Sequence, residues 1–170
     1  MKTSVTRGLV AAATALGGIA TGTSFDKSIV QLQAWNRVGA EPWATYGREA
    51  GLRKGLRWYP AMGIGTLLAN VAAAIAVHRD PKAPSAAALP TYAAALLAIG
   101  HMLATARAAP NMLRVRHTED PDSLKAALEG FTRWQAVRTG LDALMFAANL
   151  WSLASVAKRE PRRGLFRMTG

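Results

Sequence analysis

Four long runs of this sequence carry almost no charge: Gly8 to Phe25, Trp58 to His78, Ala83 to Ala106, and Thr139 to Ala157, the last interrupted only by Asp142. A helix needs about 20 predominantly apolar residues to cross the hydrocarbon core of a bilayer, and each run meets that length with little or no extension. A soluble helical bundle would place its charges along one face of every helix at the helical period. Here the charges collect between the runs, and the runs themselves are apolar all round. The pattern predicts four membrane spans in an all-α, up-down four-helix bundle.

Composition agrees once the segregation is seen. Hydrophobic residues make up 51% of the 170 residues, and the mean hydropathy of +0.10 is modest only because basic connections dilute the spans. Trp35, Trp43, Trp58 and Tyr59 near the first-to-second junction, with Trp134 and Trp151 bracketing the fourth span, suit interfacial anchors. Four spans and their connections fill the length, so a single membrane domain over residues 1–170 is expected. There is no cysteine, hence no disulfide and no thiolate chemistry. The net charge of +11 is spread over both sides of the membrane rather than gathered in a patch, which argues against nucleic acid and for anionic lipid headgroups as partners.

The N-terminal run resembles a signal peptide in its basic start, but it outlasts the usual apolar region of 7 to 15 residues and is taken as a span. The bases flanking it, Lys2 and Arg7, favour cytoplasmic termini. Between spans one and two, Asp26-Lys27-Ser28-Ile29-Val30 continues the first helix, Glu41-Pro42-Trp43 is expected as a turn or break, and Pro60 falls in the first turn of the second span. Beyond the third span Pro110 predicts a kink or stop, and His117 to Ser123 a polar turn with good N-cap residues. From about Pro121 to Ala157 little forces a break, so the fourth helix should project well outside the bilayer.

The chemistry concentrates on that helix. Trp134, Arg138, Asp142 and Asn149, at helical spacing, fall on one face. Ionisable groups within a span normally face a bundle interior or a wet cavity, so this face is the first candidate site. Arg138 and Asp142, four residues apart, are spaced to pair, either as a structural neutralisation or as a functional couple. Asn149 and Asn70 suit interhelical hydrogen bonding. His101 is the histidine placed well inside a span, where an imidazole serves either as a packing residue or as a base. No histidine pair has metal-binding spacing, and no phosphate loop, dinucleotide fingerprint, serine elbow or zinc-protease helix is present. No metal and no cofactor is expected.

Ala109-Pro110-Asn111-Met112-Leu113, followed by Phe131-Thr132-Arg133-Trp134-Gln135-Ala136-Val137-Arg138-Thr139, resembles the small membrane proteins of the DUF1772, or anthrone oxygenase-like, family. Ala20-Thr21-Gly22-Thr23-Ser24-Phe25-Asp26 looks similar too. The resemblance implies a four-helix membrane bundle and, in characterised members, oxygenation of anthrones without an evident cofactor. It carries over to Asn111, Trp134 and Arg138; His101 and Asp142 come from the physical reading. On that basis His101 or Asp142 is the expected base on an aromatic or phenolic ketone, with Arg138 and Asn111 on the enolate oxygen. Trp134 and Asn149 would contact a hydrophobic aromatic substrate. The competing reading is a non-enzymatic accessory subunit or scaffold whose polar stripe packs against a membrane partner or a second copy. A small transporter is less supported, since inverted repeats and broken half-helices are absent.

Overall fold

The computed structural model describes residues 3–49 and 52–158. Helix α1 (Thr3–Phe25) passes into a π-helical segment (Asp26–Gln31), then α2 (Leu32–Val38) and α3 (Ala40–Glu49); α4 (Leu52–Arg79), α5 (Ser85–His117) and α6 (Pro121–Ala157) follow. Four stretches are long and apolar enough to cross a membrane: Thr3–Val38, Arg57–Arg79, Ser85–His117 and Pro121–Ala157. They form an up-down bundle in which α1 packs on α4 and α6, and α5 packs on the same two helices. The protein is a multi-pass integral membrane protein.

The inward faces follow one rule. Buried positions step by three and four along α1 (Thr6, Val10, Ala13, Gly17, Thr21, Ser24), α5 (Ala87, Thr91, Ala94, Ala98, His101, Ala104, Ala108) and α6 (Gln135, Thr139, Asp142, Met145, Asn149, Ser152). Thr66, Asn70, Ala73 and Val77 continue the pattern on α4. A 3.5-residue repeat of this kind keeps one seam facing the partner helices, as in left-handed bundles. The seam residues are small or polar, which lets backbones approach and leaves hydroxyls and amides to bond across helices. Large apolar side chains point outwards instead: Leu89, Leu96 and Leu103, seven residues apart on α5, are each about two-thirds exposed. Lipid is the solvent that suits such an exterior, because in it no apolar side chain gains by turning inward.

Contacts between the helices show the antiparallel order. Thr14 of α1 donates to the Asn149 carbonyl of α6 and Thr21, seven residues on, to the Asp142 carbonyl, seven residues back; beyond α1, Ser28 of the π-helical segment meets Thr139. Thr91 bonds Ser152 at 2.6 Å, and further along α5 His101 meets Asp142. Close approach is enforced at Gly17, where an added Cβ would lie 3.0 Å from the Asn149 amide nitrogen. At the far end of the bundle Asp80 ties the short α4–α5 turn to α1, accepting from the Thr6 hydroxyl (2.9 Å) and the Lys82 N–H (3.0 Å). Burial works against its charge, yet these donors outweigh it and hold the carboxyl below its ordinary range.

Three local expectations are corrected. The break after α2 is not at Glu41-Pro42-Trp43 but at Gly39, whose φ of 91° only glycine adopts readily; Pro42 sits in the first turn of α3, where its missing N–H is harmless. Of the kink or stop expected at Pro110, the stop is not made: α5 continues to His117, with Ala108 and Val115 buried in its packing. Pro60 lies inside α4 rather than in its first turn. The polar turn after His117 is as expected, with Asp120 capping α6 by accepting the Ser123 N–H at 2.9 Å. With 33 and 37 residues, α5 and α6 are longer than the stretch of about 20 that a crossing needs. At their joined ends α2 and α3 fold over them to form a cap cored by Trp35, Trp43, Ala44, Val115, Leu124 and Leu128. Trp58 and Trp151 are exposed as anchors would be, whereas Trp35, Trp43 and Trp134 pack in the cap.

Candidate functional site

Asp142 is fully buried on the α6 seam, about two turns along the helix from Trp134 of the cap. A carboxylate there needs partners, because desolvating a charge without them is prohibitive. It has two. Its Oδ2 accepts from Ser24 Oγ of α1 at 2.5 Å, and its Oδ1 lies 2.6 Å from Nδ1 of His101 on α5. The second contact is close but off the line of an ideal hydrogen bond. The Asp142 carbonyl accepts from Thr21 at 2.9 Å. One turn nearer the cap, the Thr139 hydroxyl sits among Ser28 Oγ (2.6 Å), the Gln135 carbonyl (2.9 Å) and the Ser24 carbonyl (3.3 Å). Three helices therefore fix one carboxylate and one imidazole.

The imidazole is oriented. A proton on Nδ1, facing Asp142, leaves the lone pair on Nε2. Nε2 points across to Gly63 of α4, where an added Cβ would stand 3.8 Å from it and 3.3 Å from the Met102 sulfur. The Nε2 edge of the ring therefore packs on α4 at Gly63, beside Met102. A carboxylate behind a histidine fixes its tautomer and ring orientation, an arrangement used in general-base work.

The expected pairing of Arg138 with Asp142 is not made: among the described residues the ion pair is His101 with Asp142. An inward-pointing carboxylate on the seam meets its neighbours on α1 and α5 before it meets a side chain of its own helix. Arg138 is half-buried, with Nε enclosed and no hydrogen-bond partner. Asn111 is elsewhere. Ten residues along α5 from His101, about 15 Å at the helical rise, it bonds the Arg107 carbonyl and packs on Gly130. There it lines an open cap cavity of about 350 Å³ with Arg114, Thr118, Ser123, Ala126 and Ala127. Trp134 is half-buried in the cap floor near Leu32, Ala108 and Phe131, its ring centroid 5.9 Å from the Arg107 guanidinium. Asn149 donates to the Ala13 carbonyl at 3.4 Å, an α1–α6 packing bond. Asn70 bonds the Thr66 carbonyl of its own helix at 2.8 Å and approaches the Met145 sulfur at 3.7 Å.

Of the six residues singled out in the sequence, His101 and Asp142 come together, with Arg138 one turn away on α6. Ser24 and Thr21 complete the site and carry no catalytic signature of their own; the spacing of Thr14, Gly17, Thr21 and Ser24 is the signal that marks them. Among the described residues no group of three histidine or carboxylate side chains is placed to hold a metal.

These features define a polytopic membrane protein with a buried carboxylate–imidazole pair beneath an interfacial cap. No family model, curated protein or solved structure matches the chain, so the likeness to the anthrone oxygenase-like family rests on the quoted motifs alone.

Proposed function

We propose that this protein is a membrane oxidoreductase, similar to cofactor-independent anthrone oxygenases, acting on a hydrophobic aromatic or phenolic ketone. The observation that carries the reading is the His101–Asp142 contact of 2.6 Å at a fully buried carboxylate, with Nε2 turned away from that carboxylate towards Gly63 of α4. His101 Nε2 removes an acidic C–H proton of the aromatic ketone, from a carbon conjugated with the carbonyl, and Asp142 stabilises the resulting imidazolium. Arg138 offers charge to the enolate oxygen. The electron-rich carbanion reduces dioxygen, forming a carbon–oxygen bond; loss of water from the hydroperoxide leaves a new carbonyl. Ketone and O2 thus give diketone and H2O, the CH2 group being oxidised. Asn111 has no part in this scheme, since it lies too far along α5; Trp134 closes the cap side as an apolar wall.

Oxygen consumption by detergent-purified protein with a panel of anthrones and phenolic ketones tests the proposal. Uptake should fall at least about a hundredfold in His101→Gln, the scale of a lost general base, and strongly in Arg138→Ala, with both variants still monodisperse. No uptake above heat-inactivated controls across the panel would remove the enzymatic reading. The hydrogen bonds of Ser24, Thr21 and Asn149 across α1 and α6 then favour the accessory or scaffold reading, in which the pair holds helices for a membrane partner or a second copy. In either case Lys2 and Arg7 beside the first span favour cytoplasmic termini, which protease protection of a terminal tag would check.

A further inference from the structure

Two cations at the cap-side rim of the bundle have no carboxylate bridged to them among the described residues. Lys27 lies in the π-helical segment, half-buried, with its ammonium 5.9 Å from the Tyr59 ring centroid. Arg138 is half-buried on α6, and its enclosed Nε donates to nothing. The Ser28–Thr139 bond of 2.6 Å locks the next residue of each segment together. That bond brings Lys27 near Arg138, whose charge acts on it, with the Tyr59 ring beside the ammonium; Asp26 also acts on Lys27, and Asp142 and Tyr59 act on Arg138.

The acids at hand are engaged. Asp142 is held by Ser24 and His101, and Asp26 accepts from Gln31 on the outer side of the π-helical turn. Two like charges side by side in a poorly solvated rim repel, and an anion between them converts that repulsion into two charge-assisted contacts. Both contacts come from the π-helical segment: Lys27 reaches Tyr59 of α4 while the next residue, Ser28, bonds Thr139 of α6, and such turns are frequent at functional sites.

We propose that Lys27 and Arg138 together form an anion subsite for the ionised oxygen of an apolar ligand, a carboxylate, phenolate or enolate carried on a hydrophobic body. The subsite deepens the oxidoreductase reading, on which its link to His101 rests, by naming an acidic amphiphile as the substrate class and adding Lys27 as a positioning residue. The binding itself does not require turnover. The same oxyanion chemistry is available from two sources, a free amphiphile and an anionic lipid headgroup.

The test is equilibrium binding of 1-pyrenebutyrate and of its uncharged methyl ester to the full chain in neutral detergent, followed by pyrene fluorescence. Wild type should prefer the acid by about tenfold or more, the scale of a charge-assisted bond. Lys27→Met and Arg138→Met should each erase the preference, and Lys27→Arg should keep it, which guards against mere misfolding. Equal affinity for acid and ester in wild type, or a preference that survives both methionine variants, overturns the proposal. Phosphatidylglycerol that displaces the acid from wild type but not from Lys27→Met identifies the headgroup as the source, and failure to displace it identifies the free amphiphile. His101→Gln should retain the preference, so oxygen uptake and anion binding fail separately.

Discussion

The His101–Asp142 pair makes a quantitative prediction about stability that does not depend on any substrate. Replacing His101 with Leu leaves a fully buried carboxylate without one of its two partners, and breaking a buried pair in this way costs about 3–5 kcal/mol. Replacing Asp142 with Leu strands an imidazole Nδ1, at about 1–3 kcal/mol for an unsatisfied buried polar group. Replacing both removes the charge and its partner together, and apolar substitution of a whole buried pair is often close to neutral. The double variant should therefore be more stable than the sum of the single losses implies by about 4 kcal/mol or more, well above the average of about 0.6 kcal/mol for an interhelical hydrogen bond in a membrane protein. Reversible unfolding with dodecyl sulfate in mixed micelles, followed by far-ultraviolet circular dichroism, measures all four corners of the cycle. Additivity to within about 0.5 kcal/mol, the behaviour of independent sites, would refute the reasoning and reduce the 2.6 Å contact to proximity without energetic coupling.

Other expectations are simpler. Gly17→Ala should destabilise the bundle by about 1 kcal/mol or more, as overpacking does, because its Cβ would meet the Asn149 amide at 3.0 Å; Gly22→Ala, with nothing within 4 Å, should be neutral or slightly stabilising in the same unfolding assay. Thr91→Val should lose the 2.6 Å bond to Ser152 and cost about 0.6 kcal/mol, at most about 1.7. Asp120→Ala should speed amide exchange in the first turn of α6, whereas Asp120→Asn should preserve its protection at neutral pH, since both residues cap well. The Ser123 hydroxyl and N–H hold the Asp120 carboxyl below its ordinary range. Its contribution is therefore complete above the unfolded value, near pH 4, and fades as the pH falls through the lower folded value, narrowing the gap to the alanine variant. A gap that widened with acid would contradict the capping assignment.

How much of this was legible in the sequence differs from residue to residue. The spans were, because lipid demands long charge-free helices and the charges obey that demand. Asp142 stood out as a lone acid inside such a run, and its burial follows from the cost of facing lipid. Its partner did not stand out. The i,i+4 spacing pointed to Arg138, but spacing along one helix says nothing of the neighbours across the seam, and α1 and α5 present Ser24 and His101 at closer range. Ser24 and Thr21 were hard to see because hydroxyl residues in helices commonly bond their own backbone, as Thr21 also does to the Gly17 carbonyl. The cap was missed for a different reason: Pro110 and Pro42 carry breaking propensities that tertiary packing and a first-turn position respectively override. Asn111 and Arg138, joined in one scheme by their motifs, are separated by the rigid rise of the helices that carry them.

The polar seam also bears on how the chain enters the bilayer. The fourth span carries a carboxylate that works against its partition by about 2.5–3.5 kcal/mol on insertion scales. It is also the last of the four to leave the ribosome, when α1 with Ser24 and α5 with His101 have already been made. The groups that satisfy Asp142 thus precede it, so the order of the spans along the chain serves as an assembly schedule. Transplanting α6 ahead of its partners should leave it stalled at the translocon, although every contact of the finished bundle would be unchanged.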